Sequence, residues 1–180
     1  MWHLSILNWN PSHVLTWADY PKVDVDPTGN GFTAFTTLSQ PFRYNAPSST
    51  EGTITIDFRL DPTKSWVLRS WAEANHNPDS VLDHERGHYN IALLITRDVF
   101  ALAPSMSIAD GIDFMNALSQ RWDGLDDGVP GCYERSTNLG KNAIVQAQWD
   151  RLIAAALAAH PPATADFKSS ADAQFDCRAQ

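Results

Sequence analysis
The stretch Asp83-His84-Glu85-Arg86-Gly87-His88-Tyr89 constrains this chain more than any other, because it contains a complete H-E-x-x-H. On an α-helix, residues four apart lie about 40° apart around the axis and about 6 Å along it. His84 and His88 can then close on one metal ion from a single helix face, with Glu85 in reach of water activated there. The chain has six His and four Glu, so a random arrangement would show this pattern with a probability of about 0.004. The bland alternative is a solvated helix face that happens to carry two His. The motif requires a helix at this place, and that helix needs something to lie against.

Both requirements are readable around it. Asn77-Pro78-Asp79-Ser80 is a helix start, with Asp79 or Ser80 as N-cap, and Pro104 is a stop. Between them Val81, Tyr89, Ala92, Ile95 and Val99 recur at three- or four-residue spacing, a stripe for burial. His84 and His88 fall beside the stripe, at the expected edge of the core.

The preceding residues alternate as strands do. His13–Trp17, Lys22–Gly31 (broken by the turn cluster from Pro27), Phe32–Leu38 and Phe42–Tyr44 are β-prone runs. Thr53–Leu60 is the clearest, with Ile54, Ile56, Phe58 and Leu60 on one face. Ser65–Trp71 fits either a short helix or an extended edge. Beyond Pro104, a second helix is expected over 108–122 and a third from about Tyr133 to His160. Between these two helices, Asp123–Gly131 is an acidic turn whose spacing misses a calcium loop. Residues 1–160 thus form one domain, and 161–180 a polar tail.

A chain of 180 residues with 43% hydrophobic and 19% charged content can bury a core, so wholesale disorder is excluded. A net charge of −8 without Lys/Arg clusters argues against nucleic acid as partner. No apolar run approaches the roughly 18 residues of a transmembrane segment. The first eight residues lack the basic start and apolar centre of an intact signal peptide. The chain is therefore expected to be either intracellular or the mature part of an exported protein. Cys132 and Cys177 are expected to pair as a disulfide of an exported protein, tying the tail to the body; the alternative is two thiols inside the cell.

A catalytic zinc needs a third protein ligand. His3, His13, His76 and His160 are lone histidines. Among carboxylates, Glu134 at the start of the third helix ranks above Glu51 and Glu73, because a packed helix can deliver it to the motif. Tyr133 and Arg135 flank it and Tyr89 adjoins His88; Tyr133 is carried as a candidate catalytic residue able to stabilise an oxyanion.

Four segments resemble a bacterial family of predicted secreted zinc-dependent proteases. Leu15-Thr16-Trp17-Ala18-Asp19-Tyr20 is similar to the family's L-x-W-x-D-aromatic opening, and Lys64-Ser65-Trp66 to its K-S-W. His84–Ala92 resembles H-E-Q-G-H-F-D-I-A, and Tyr133–Gly140 resembles Y-D-x-x-T-x-H-G. The departures that bear on the site are Glu134 for Asp, Leu139 for His, and Asn90 for Asp. If the acidic position is the ligand, the site is intact; if the His is, this chain has lost it.

The resemblance implies an α+β zincin-like fold, with an N-terminal antiparallel sheet on the metal-binding helix and two further helices. It implies a secreted or periplasmic zinc metallopeptidase: His84, His88 and Glu134 hold Zn²⁺, Glu85 is the base, and the substrate is a peptide or protein. A non-catalytic zincin-like binding module of the cell envelope and a metal-free structural domain are the competing readings. The sequence does not specify an oligomeric state.

Overall fold
The structure, a computed structural model, describes residues 2–7, 10, 12–39, 42–45, 52–74, 76, 79–102 and 131–177. The expected helix over 108–122 and the acidic turn up to Pro130 lie outside the described residues.

The described residues form a mixed α+β fold built round one long helix. Eight strands come first in the chain: β1 (Trp2–Leu7), β2 (Lys22–Val23), β3 (Ala34–Phe35), β4 (Leu38–Ser39), β5 (Phe42–Asn45), β6 (Gly52–Asp57), β7 (Arg59–Leu60) and β8 (Trp66–Leu68). They assort into small sheets ordered β1-β6-β5, β2-β8-β3 and β4-β7. The expected purely antiparallel sheet is corrected here, because β1 runs parallel to β6 and β2 parallel to β8. Parallel neighbours need a long connection, and the segments between each pair supply it.

The run His13–Trp17 is not a strand either. Asp19 accepts from the Thr16 amide (2.7 Å) and the Thr16 hydroxyl (3.0 Å), closing a 3₁₀ turn at Trp17–Asp19. That local capping competes successfully with β pairing. Thr53–Leu60 is extended as expected, split at Phe58 into β6 and β7, with Ile56 and Phe58 buried. Ser65–Trp71 combines both readings: β8 leads straight into α1 (Arg69–Ala72).

Helix α2 (Ser80–Leu102) starts where the sequence indicates, and the expected stop at Pro104 lies outside the described residues. Asp79 caps it, accepting from the Leu82 amide at 3.1 Å, and the same carboxylate takes the indole N–H groups of Trp17 and Trp71. The helix is buried more widely than its predicted stripe. Tyr89, Ala92 and Leu93 join a cluster with Leu15, Tyr20, Ala34, Phe58 and Val67 from the strand region. Ile91 and Leu94 join a second cluster on another side of the helix, with Tyr133, Trp149, Ile153 and Phe167. A helix buried on two sides carries apolar residues beyond one stripe.

The C-terminal region supplies that second cluster. The expected continuous helix 133–160 is corrected to two pieces, α3 (Cys132–Thr137) and α4 (Ala143–Ala158). Asn138, Leu139 and Gly140 all have positive φ, at 52°, 56° and 74°, which no α-helix continues through. Asn142 restarts the chain as N-cap, accepting from the Val145 amide. The segment expected as a tail contains α5 (Thr164–Phe175), whose Phe167 and Ala171 are buried. Cys132 and Cys177 are joined by a disulfide.

Two neighbouring residues of α2 fix this C-terminal pair of helices. Arg97 donates to the carbonyls of Ala156, Leu157 and Ala159 at the end of α4. Asp98, fully buried, accepts from the Ala163 and Thr164 amides at the start of α5 and pairs with Arg97 at 3.0 Å. Unsatisfied groups at both helix ends are thereby matched by charge of the right sign.

Candidate metal centre
The first turns of α2 present His84, Glu85 and His88 inside the molecule, at 4%, 5% and 5% exposure. They are buried because strand β3 covers one side of the helix and the turn after α3 covers another. Gly140 illustrates how close that turn lies: a Cβ there would sit 2.8 Å from the His84 Cβ. These residues line one cleft, together with β3, Glu134, Leu139 and Lys141.

Three side chains able to ligate converge in it. His84 Nε2 lies 3.1 Å from Glu134 Oε2, His88 Nε2 lies 3.0 Å from Glu134 Oε1, and the two Nε2 atoms are 3.2 Å apart. All three side chains form a group able to hold a metal ion. Glu134, ranked first because a packed helix can deliver it to the motif, is the carboxylate found with the two imidazoles. Leu139, the position where the family motif carries His, lines the cleft as an apolar wall.

The tautomer follows from the neighbours. His84 Nδ1 faces the Gln146 Oε1 acceptor at 3.2 Å, so Nδ1 carries the hydrogen and the Nε2 lone pair points at the other donors. Gln146 is held in turn, its amide donating to the Tyr133 hydroxyl (2.7 Å) and to Asp150 (2.9 Å). Lone pairs and a carboxylate converging this closely need a proton or a cation between them. Donors about 2.05 Å from a tetrahedral zinc are about 3.3 Å apart, close to the spacings seen here. Where a proton rather than a cation fills that gap, burial raises the Glu134 carboxyl, but hydrogen bonds and charge from the protonated His84 and His88 outweigh it and hold its pKa at about 2.

Glu85 is set up differently. Burial pushes its carboxyl pKa upward, against the opposing pull of His88 and His84. The Thr36 side chain hydrogen-bonds to it, and Thr36 Oγ1 is 2.7 Å from the Tyr20 hydroxyl. Because a carboxylate only accepts, the hydrogen bonds run from Tyr20 to Thr36 to Glu85. Burial also raises the Tyr20 pKa, keeping it the donor. The remaining oxygen, Glu85 Oε2, is buried with no hydrogen-bond partner. A buried, unmatched carboxylate oxygen costs stability and marks a place where something else is meant to bind.

Comparison of the chain with protein-family models, with curated proteins and with solved structures returns no match. The site therefore rests on its own geometry.

Tyr133 is not where an oxyanion donor has to be. It is fully buried behind His84, stacked on the imidazole with ring centroids 4.8 Å apart, and its hydroxyl donates to the His84 carbonyl at 2.9 Å. Gly87 makes room for it, since a Cβ there would collide with the Tyr133 hydroxyl. Arg135 and Tyr89 do not line the cleft. The other ligand candidates are engaged elsewhere. His13 pairs with Asp19, His76 stacks on Trp71, His160 is exposed, and Glu73 pairs with Lys22 and Arg69. Glu51 and the His3 side chain lie outside the described residues. Sequence reading does not single out Thr36, Gln146 or Lys141, because each reaches the site only through tertiary packing.

Proposed function
We propose that this protein is a zinc-dependent peptide hydrolase with a zincin-like site, working outside the cytoplasm. One observation carries the reading. Two imidazole Nε2 atoms and the Glu134 carboxylate converge at 3.0–3.2 Å beside a buried glutamate that has one oxygen unmatched. The donor set, nitrogen and oxygen with an open side, is that of a catalytic zinc site. The motif resemblance supports the same conclusion, and the Cys132–Cys177 disulfide is compatible with an oxidising compartment. Among the described residues no helix is long and apolar enough to cross a membrane.

Bound zinc would polarise the scissile carbonyl and lower the pKa of attacking water from about 15.7 toward 7. The chain's own residues do the rest. Glu85 Oε2 accepts the proton of that water and passes it to the leaving amine. Thr36, itself hydrogen-bonded to Tyr20, holds the Glu85 carboxylate. Gln146 fixes the tautomer and tilt of His84. Tyr133 supports His84 from behind and takes no part in proton transfer.

The test is one preparation. Zinc near one equivalent by elemental analysis, with casein cleavage abolished in Glu85→Gln, is the expected result. Zinc without cleavage would instead support a non-catalytic binding module. Absence of zinc after incubation with excess metal at neutral pH would overturn both and leave a hydrogen-bonded structural cluster.

A further inference from the structure
Among the described residues, five large hydrophobic side chains are strongly exposed: Val14, Val25, Phe35, Leu139 and Ile144. Two of them, Phe35 at 39% and Leu139 at 43%, line the same cleft as the metal group, one from β3 and one from the turn after α3. Neither is exposed by accident of a loose loop. Phe35 is fixed by strand pairing to Trp66 and stacks on Phe32, ring centroids 6.4 Å apart. Leu139 has φ 56°, a left-handed conformation that a branched side chain rarely adopts. Its neighbours Asn138 and Gly140 tolerate that region, and the Leu139 amide closes the end of α3 by donating to the Glu134 carbonyl at 3.0 Å. The backbone holds an apolar side chain out at the cleft mouth.

Lys141 follows on the same turn and lines the same cleft. Among the described residues it is the only Lys or Arg that lines the cleft. Lys22 and Lys168 pair with Glu73 and Asp172, whereas Lys141 makes no ion pair among the described residues.

We propose that the cleft selects peptides with an apolar side chain beside the reacting bond and a carboxylate beyond it, toward Lys141. The apolar residue fills the space between Phe35 and Leu139, and the carboxylate completes the unmatched ammonium. This deepens the peptide-hydrolase reading and rests on it for the word substrate, but recognition is separable from turnover. The net charge of −8 slows the approach of an acidic peptide. At contact range the nearest charge dominates, since salt screens beyond about 8 Å.

Binding of labelled pentapeptides to zinc-supplemented Glu85→Gln protein, followed by fluorescence anisotropy, tests this without cleavage. A Leu-containing peptide with a free C-terminal carboxylate should bind about tenfold more tightly than its Gly counterpart. It should bind about threefold more tightly than its C-terminal amide. An internal Asp that restores affinity to the amide identifies an acidic side chain as the natural carboxylate; no restoration identifies the chain terminus. Leu139→Asn, which tolerates the same backbone, should erase most of the Leu/Gly difference, and Lys141→Gln the acid/amide difference. Equal binding of the Leu and Gly peptides, or acid/amide discrimination retained in Lys141→Gln, would overturn the proposal. If these preferences hold but the wild-type protein cleaves none of the peptides, the hydrolase reading fails and the recognition reading stands.

Discussion

At the residue scale, the site depends on groups that never touch a metal. Gln146 accepts from His84 Nδ1 and is itself pinned by Tyr133 and Asp150. Removing such a partner typically weakens metal binding about 10–100-fold. Gln146→Leu should therefore bind zinc at least about tenfold more weakly in a chelator competition, with Glu134→Ala losing more. Unchanged affinity in Gln146→Leu would show that His84 needs no orientation. Gly87 gives a second test with an unusual sign. Gly→Ala inside a helix ordinarily stabilises by about 1 kcal/mol. Here the added methyl meets the buried Tyr133 hydroxyl, so Gly87→Ala should lower the melting temperature and weaken zinc binding together. A raised melting temperature would mean that Tyr133 is free to move aside.

At the element scale, the legible parts are those whose signal is local. The α2 helix announces itself through its cap, its periodicity and its stop, and H-E-x-x-H lies within it. Glu134 is legible because so few glutamates exist and a packed helix can deliver this one to the motif. The break at 138–142 is hidden in an otherwise helical run; only Gly140 and the preceding Asn138 hint at it. Thr36 and Gln146 have no local signal, because their role exists only once β3 and α4 lie against α2. The loop leading into β3 has a chemical anchor of its own. Asp26 accepts from the Thr28 amide and hydroxyl and from the Gly31 and Phe32 amides. Desolvation raises its pKa, but these hydrogen bonds together outweigh it and lower it from 3.8 to about 2. A depressed folded-state value means the anchor is fully present above pH 3.8 and is lost as pH falls toward about 2. Amide exchange at Gly31 and Phe32, corrected for its intrinsic pH dependence, should accelerate through that window. Asp26→Ala should show the fast exchange already at pH 6. Flat protection from pH 5 to 2 would contradict the anchor.

At the scale of the whole molecule, α2 is shared by two cores, and the disulfide closes the second. Cys132 opens the helix that delivers Glu134, and Cys177 follows α5. A bridge across a separation of 45 residues contributes about 4 kcal/mol in the chain-entropy account. Intact mass should fall about 2 Da below that of the reduced protein. Cys132→Ala/Cys177→Ala should unfold at markedly lower denaturant and bind zinc more weakly, because α3 loses its tether. A double variant of unchanged stability would show that α5 is held by Phe167, Ala171 and the Asp98 contacts alone. The paired cysteines, compatible with an oxidising compartment, and the buried motif, which could hold a metal ion, belong to one proposed account.

That account stands or falls on the position of the ion. Crystals grown with zinc at neutral pH, measured on both sides of the zinc absorption edge, locate it directly. The prediction is one anomalous peak within about 2.0–2.2 Å of His84 Nε2, His88 Nε2 and a Glu134 oxygen, with Glu85 Oε2 facing the open side. No peak among these three residues, or a peak that leaves Glu134 unbound, would contradict it.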